Sequence, residues 1–196
     1  MTRTRVGRRL LSCLKRFGRD ERGVYAVEFA IVAVPFLGLL LATIEVAWVN
    51  FNSEQLQAAV DKAARKIMTG QVQSSNITST TAFVSQLLCP TDGTRAIPAS
   101  WDCNRLYLDI RTATDFSSAD TSRSFYLSPL KYCLGNPSTI VVMRVIYPMA
   151  TVFPLSIFNQ YVGLANNVPN SPGWQHILMG NAVFKTEAYG GSAPAC

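Results

Sequence analysis

Between Val24 and Val49 the chain carries only two charged side chains, Glu28 and Glu45, and from Phe29 to Ile44 it carries none. A helix needs about 20 apolar residues to cross the hydrocarbon core of a bilayer, and this run supplies them. A buried helix of a soluble domain is the alternative, but over such a length it seldom stays apolar on every side. An arm rich in arginine precedes the run. Residues 1–23 hold eight of the 18 Lys and Arg and two acids, a net +6 that equals the charge of the whole chain. A nucleic-acid-binding domain would keep its positive charge on its folded face. Here the charge borders an apolar run and the rest is neutral, which excludes that class and fits membrane insertion. No basic residue follows the run until Lys62. The positive-inside rule therefore predicts a single span with a cytoplasmic N-terminus and an outward C-terminal body. A cleaved secretory signal would end its apolar core after about 7–15 residues at a small-x-small site. This run is longer, and Glu45-Val-Ala-Trp-Val-Asn is a poor site for that cut.

Beyond Val49 the helical pattern continues. Leu56, Ala59, Val60, Ala63 and Ile67 recur at spacings of three and four, with Glu54, Asp61, Lys62, Arg65 and Lys66 on the other positions. Asp61 and Arg65 are placed to pair across one turn, and Gly70 supplies a stop. One helix from about Val24 to Thr69 would outreach the membrane, so its second half must project and pack on something. A Ser/Thr/Asn-rich linker follows from Gln71, then a short helix candidate at Thr80–Leu88. Strand candidates come next: a half-buried one in Arg105–Phe116, a β-branched run at Thr139–Tyr147 broken by Pro148, and His176–Ala188 as one long strand or a pair. Thr151–Gly173, with its Asn, Pro and Gly clusters, reads as a loop or short helix over the sheet. The predicted fold is α+β: a long N-terminal helix, part transmembrane and part amphipathic, packed on a small antiparallel sheet. The predicted divisions are an arm at 1–23, a membrane segment at 24–49, a projecting amphipathic helix at 50–70 and a body at 71–196.

Of five cysteines, Cys13 lies in the arm and Cys89, Cys103, Cys133 and Cys196 lie beyond the span. In an oxidising compartment these four can pair in three ways, and sequence does not choose among them. The pairing we expect is Cys89 with Cys103, across a Pro/Gly-containing loop, and Cys133 with Cys196. No cysteine–histidine spacing suits zinc. His176, the only histidine, has no legible nucleophile and acid around it and reads as a sheet-surface residue. Asn76-Ile-Thr78 matches a glycosylation triplet that arises readily by chance. With no nucleophile motif, phosphate loop or metal-ligand cluster, we expect a chain that is not an enzyme and holds no cofactor or metal.

The stretch Arg22-Gly23-Val24-Tyr25-Ala26-Val27-Glu28-Phe29-Ala30 resembles the processing site of type IV prepilins: a basic leader ending in Gly, then a hydrophobic helix with Glu at its fifth residue. More narrowly, Glu-Arg-Gly-x-x-Ala-Val-Glu-Phe-Ala followed by Pro35 is similar to the TadE-like pseudopilins of tight-adherence (Flp) pilus systems. The likeness continues through Ile44-Glu45 and Gln55-Leu56-Gln57-Ala58-Ala59 to Ala63-Ala64-Arg65, covering about Asp20 to Arg65. It implies cleavage between Gly23 and Val24 by a membrane prepilin peptidase on the cytoplasmic side. Glu28 is followed by Phe29 where the short major Flp pilins carry Glu-Tyr, and the body is far longer than theirs; both departures point to a minor, TadE-type subunit. TadG-like proteins share the anchor and are a near neighbour.

The resemblance implies a bacterial inner-membrane protein that takes part in Flp pilus assembly and surface adherence. Its partners would be other pilins, the prepilin peptidase, the inner-membrane assembly platform and the membrane itself, with no nucleic acid. An ionisable residue within an apolar membrane helix costs about 2.5–3.5 kcal/mol on insertion scales, so Glu28 calls for a partner. The α-amino group that cleavage creates at Val24 is the natural one, on the same or a neighbouring subunit. The other reading leaves Glu28 unpaired among lipid headgroups. Pro35 is tolerated in a membrane helix, and Glu45 reads as interfacial beside Trp48. The rival to the pilin reading is an uncleaved single-pass protein, TadG-like or unrelated, with an outward binding domain.

Overall fold

Helix α1 runs without interruption from Arg22 to Met68, 47 residues, in a computed structural model that describes residues 22–122, 128–152 and 173–190. At 1.5 Å per residue it is about 70 Å long. Arg65 and Lys66 occupy its last turn, where positive charge complements the helix dipole. Gly70 ends it with φ +77, and a Cβ there would lie 2.5 Å from the Tyr189 ring, so both conformation and space require glycine. Two short helices follow, α2 (Gln71–Ser74) and α3 (Thr80–Phe83). The Ser79 side chain caps α3 by accepting from the Ala82 N–H at 3.2 Å. A π-helical turn at Val84–Leu88 completes the helix predicted at Thr80–Leu88.

Three strands form one antiparallel sheet in the order β1 (Tyr107–Ala113), β2 (Ile140–Ala150), β3 (Gln175–Lys185). The predicted α+β class is the observed one, and the third candidate is a single strand. Pro148 does not break β2, contrary to expectation. Pairing with β1 ends at Tyr107↔Ile146, so at Pro148 the strand has β3 on one side only, through Pro148↔Ile177. A missing N–H is tolerated at such an edge. Asp61 does not pair with Arg65 either. It accepts from Gln57 Nε2 at 2.9 Å, and Gln57 is held by both backbone groups of Asn181 on β3.

The chain divides into two compact units, Met1–Ile44 and Glu45–Cys196. In the second, the core joins Leu56, Val60, Ala63 and Ile67 of α1 to Leu108 and Ile110 of β1, Val141, Met143 and Val145 of β2, and Leu178 of β3. The helical spacing of the first set and the alternation of the second bring these faces together. Closest approach comes at Gly180: a Cβ there would lie 2.7 Å from Val60 Cγ2 and 3.3 Å from the Leu56 carbonyl oxygen. Gly180→Ala is therefore expected to cost about 1–3 kcal/mol through overpacking. Denaturant unfolding checks this: the midpoint should fall with the slope unchanged.

The opposite face of β2 is buried too, and on β1 Asp109 is buried on that face while Tyr107 and Arg111 beside it stay part-exposed, as in the half-buried strand predicted. Asp109 and Arg144, cross-strand partners in the β1–β2 register, are both almost wholly inaccessible. Arg144 donates to Asp109 Oδ2 through Nη2 (2.6 Å) and Nε (3.3 Å), and through Nη1 to the side chain (2.7 Å) and carbonyl (2.9 Å) of Asp120. Asp109 also accepts from Arg111 and from the Lys131 N–H. The stretch after β1 is thereby tied over the sheet's second face. Hydrogen bonds from Ser122, then Arg144, hold the Asp120 carboxyl down at about 2. A backbone bridge from Tyr132 to Ile110 covers the outer edge of β1, which shields that edge from pairing with another chain.

The basic arm through residue 21, with Cys13, most of the Thr151–Gly173 connection, and Cys196 lie outside the described residues.

Candidate functional site

The residues singled out for processing and assembly all fall on the first turns of α1. Gly23 lies in the first described turn of the helix, and a Cβ at this position would meet nothing within 4 Å, so among the described residues nothing packs against Gly23. Val24, Ala26, Val27 and Phe29 follow on exposed surface, with Phe29 at 74% exposure. Glu28 is exposed as well and has no hydrogen-bond or ion-pair partner among the described residues. Pro35 stands inside the helix, where its missing N–H leaves the carbonyl of Ile31 without its helical donor.

From Val24 to Ile44 large apolar side chains are exposed at consecutive positions. Val34 and Phe36, pointing to different sides of the helix, are 72% and 64% exposed. In water such a surface would collapse or aggregate; in lipid it is the normal exterior of a span. The helix is long and apolar enough to cross a membrane, and it fits a membrane anchor.

Glu45 begins the second compact unit, and there it is engaged. The Val152 N–H donates to both of its carboxylate oxygens, at 3.1 and 3.2 Å, and Nε2 of His176 lies 3.1 Å from Oε1. The sequence placed His176 on the sheet and Glu45 near Trp48; it did not show that the two meet. That contact joins α1 to the end of β3.

The structure joins Cys89 to Cys103. Cys133 is disulfide-bonded as well, and Cys196, the partner expected for it, lies outside the described residues. Sequence reasoning missed Arg95, whose guanidinium lies against the Cys89–Cys103 bridge. It also missed the Asp109–Arg144 pair. Among the described residues no cluster of His, Cys, Asp and Glu could hold a metal ion.

Compared with known proteins, residues 23–65 match the family model of the TadE-like proteins. This segment is TadE-like. The match begins at the expected scissile glycine and ends within the part of α1 that packs on the sheet. The match agrees with the likeness read from the motif between Gly23 and Pro35. The body beyond the TadE-like segment lies outside the match. No curated protein and no solved structure matches the chain.

Proposed function

We propose that this chain is a minor pilin-like subunit of a Tad (Flp) pilus: a non-catalytic membrane protein cut between Gly23 and Val24 by a prepilin peptidase. The carrying observation is the pairing of an unobstructed Gly23 with an exposed, unpartnered Glu28 on one continuous helix, within the TadE-like segment. Cleavage would free an ammonium at Val24, four residues before Glu28 and so about 6 Å away along the axis. That geometry suits a pair within one subunit or between adjacent subunits, and in either case offsets the cost of a carboxylate in lipid. The eight basic residues before the span support an N-terminus in the cytoplasm, where the peptidase acts, and a body on the far side of the inner membrane. Disulfides in the body suit that oxidising side. Partners would be other pilins, reached through the apolar surface of α1, and the assembly platform of the inner membrane; the outcome would be surface adherence.

Mass spectrometry of the mature N-terminus, in cells with and without the prepilin peptidase, tests this reading. The expected result is a start at Val24 that disappears without the peptidase. An intact Met1 arm in both strains, or a cut near residue 50, would overturn it and leave an anchored or secreted binding domain.

A further inference from the structure

Arg95 lies in the loop that the Cys89–Cys103 bond closes, and its guanidinium rests against that bond. Nη2 is 2.9 Å from Sγ of Cys103 and 3.8 Å from Sγ of Cys89. Backbone carbonyls hold the group in place: Trp101 accepts from Nη2 at 3.0 Å and Ala99 from Nη1 at 3.3 Å. No carboxylate neutralises it among the described residues. The two acids of the same loop turn elsewhere, Asp92 to Thr94 and Asp102 to the Asn104 N–H. Nε of Arg95 is buried and makes no hydrogen bond. A positive charge is thus fixed by neutral groups, partly out of water, beside one sulfur of a disulfide more than the other. Both cysteines are half-buried.

A cation beside a cysteine favours its thiolate, and in thiol–disulfide exchange the sulfur that makes the more stable thiolate leaves faster. We infer that Cys89–Cys103 is a thiol–disulfide exchange site of fixed polarity, attacked at Cys89, with Arg95 stabilising Cys103 as the leaving thiolate. An incoming thiolate, from a small thiol or a protein dithiol, forms a new S–S bond to Cys89 as the Cys89–Cys103 bond breaks. The bonding pair departs on Sγ of Cys103, which becomes a thiolate paired with Arg95. The attacking sulfur is oxidised to the disulfide level and Cys103 is reduced, so no further oxidant or reductant enters. The reverse attack by the Cys103 thiolate restores the bond. The bridge is then a point at which the body can be opened and re-closed by exchange, besides being a staple.

Arg95 as a mere brace for the loop gives the opposite sign, which makes the test decisive. Full-length protein in detergent is treated with glutathione in one arm and with a reduced Cys-x-x-Cys oxidoreductase in the other. Exchange is quenched with acid, and the mixed disulfide is mapped by peptide mass spectrometry. The adduct is expected on Cys89. In Arg95→Gln the exchange should slow by about threefold to tenfold and the preference for Cys89 should fade, while Arg95→Lys keeps both. An adduct on Cys89 in the glutathione arm supports a small thiol as the nucleophile; one confined to the oxidoreductase arm supports a protein dithiol. An adduct on Cys103, or exchange in Arg95→Gln as fast as or faster than in the unaltered protein, overturns the inference. Should Arg95→Gln fail to fold, the site of the adduct in the unaltered protein still decides.

Discussion

Arg144→Ala is expected to destabilise the body by up to about 3–5 kcal/mol, because it strips the buried Asp109 carboxylate of its buried partner and leaves only the part-exposed Arg111 to compensate it. Both side chains are almost wholly inaccessible, so neither can turn to water when its partner is lost. The same change also releases Asp120 and the stretch that it anchors over the second face of the sheet. Arg144→Lys should recover only part of the loss. A single ammonium cannot reproduce the fork that reaches Asp109 through two nitrogens and Asp120 through a third. The double change Asp109→Leu with Arg144→Met should return only part of the stability: it removes the stranded charge, but Arg111, the Lys131 N–H and Asp120 still lose their partners. Denaturant unfolding reads these differences, with Trp101 as the reporter; its ring is stacked on Tyr147 with centroids 4.1 Å apart. The Asp120 carboxyl is held at about 2, below the ordinary 3.8, so its ionised form stabilises the fold above about pH 4. That contribution is lost as pH falls through 2. It is modest, because Asp120 is largely exposed to solvent. The loss of stability expected in the unaltered protein between about pH 4 and 2 should therefore be smaller in Arg144→Ala. A cost for Arg144→Ala below about 1 kcal/mol would show that the pair is dispensable to the fold.

The contrast between what could and could not be read from the chain has a physical basis. The anchor depends on local composition: Phe29 to Ile44 is uncharged, and a membrane span needs little else. The docking face of α1 was likewise legible, since Leu56, Val60, Ala63 and Ile67 keep the helical period that the core requires. Arg144 and Asp109 lie 35 residues apart and meet only through the β1–β2 register, which no local pattern determines. A hint was present: Arg144 is the single charge in the run from Ile140 to Tyr147, and a lone charge in an apolar strand must find a buried partner. Pro148 was misread because its cost depends on whether a neighbouring strand lies beside it, a fact about β1 and not about β2. Gly180 carried no legible meaning until Val60 was seen to pack against it. Arg95 left no trace either, because its neighbours are two sulfurs and two main-chain carbonyls.

Glu28→Ala is expected to leave processing at Gly23 intact while abolishing assembly. The two effects separate because cleavage depends on the backbone before Val24, whereas the carboxylate lies a full turn beyond it. In the proposed mature subunit the new ammonium at Val24 sits within the apolar phase, and Glu28 is the acid placed to neutralise it. Removing one member of a desolvated pair costs about 3–5 kcal/mol, because the remaining charge is stranded. At 1.4 kcal/mol per decade this corresponds to roughly a 100- to 3,000-fold loss of association between subunits. Glu28→Gln keeps the shape and loses the charge, so it should behave like alanine. Glu28→Asp shortens the reach by one methylene and should retain part of the function. The readout is co-purification of the processed subunit with other pilins from detergent extracts, alongside its mature N-terminus. Assembly at the unaltered level in Glu28→Ala would remove the ion pair from the proposal and leave Glu28 among the lipid headgroups. Loss of both cleavage and assembly would instead place Glu28 in recognition by the peptidase. Normal cleavage without assembly is the outcome that assigns the Glu28 charge to contact between subunits.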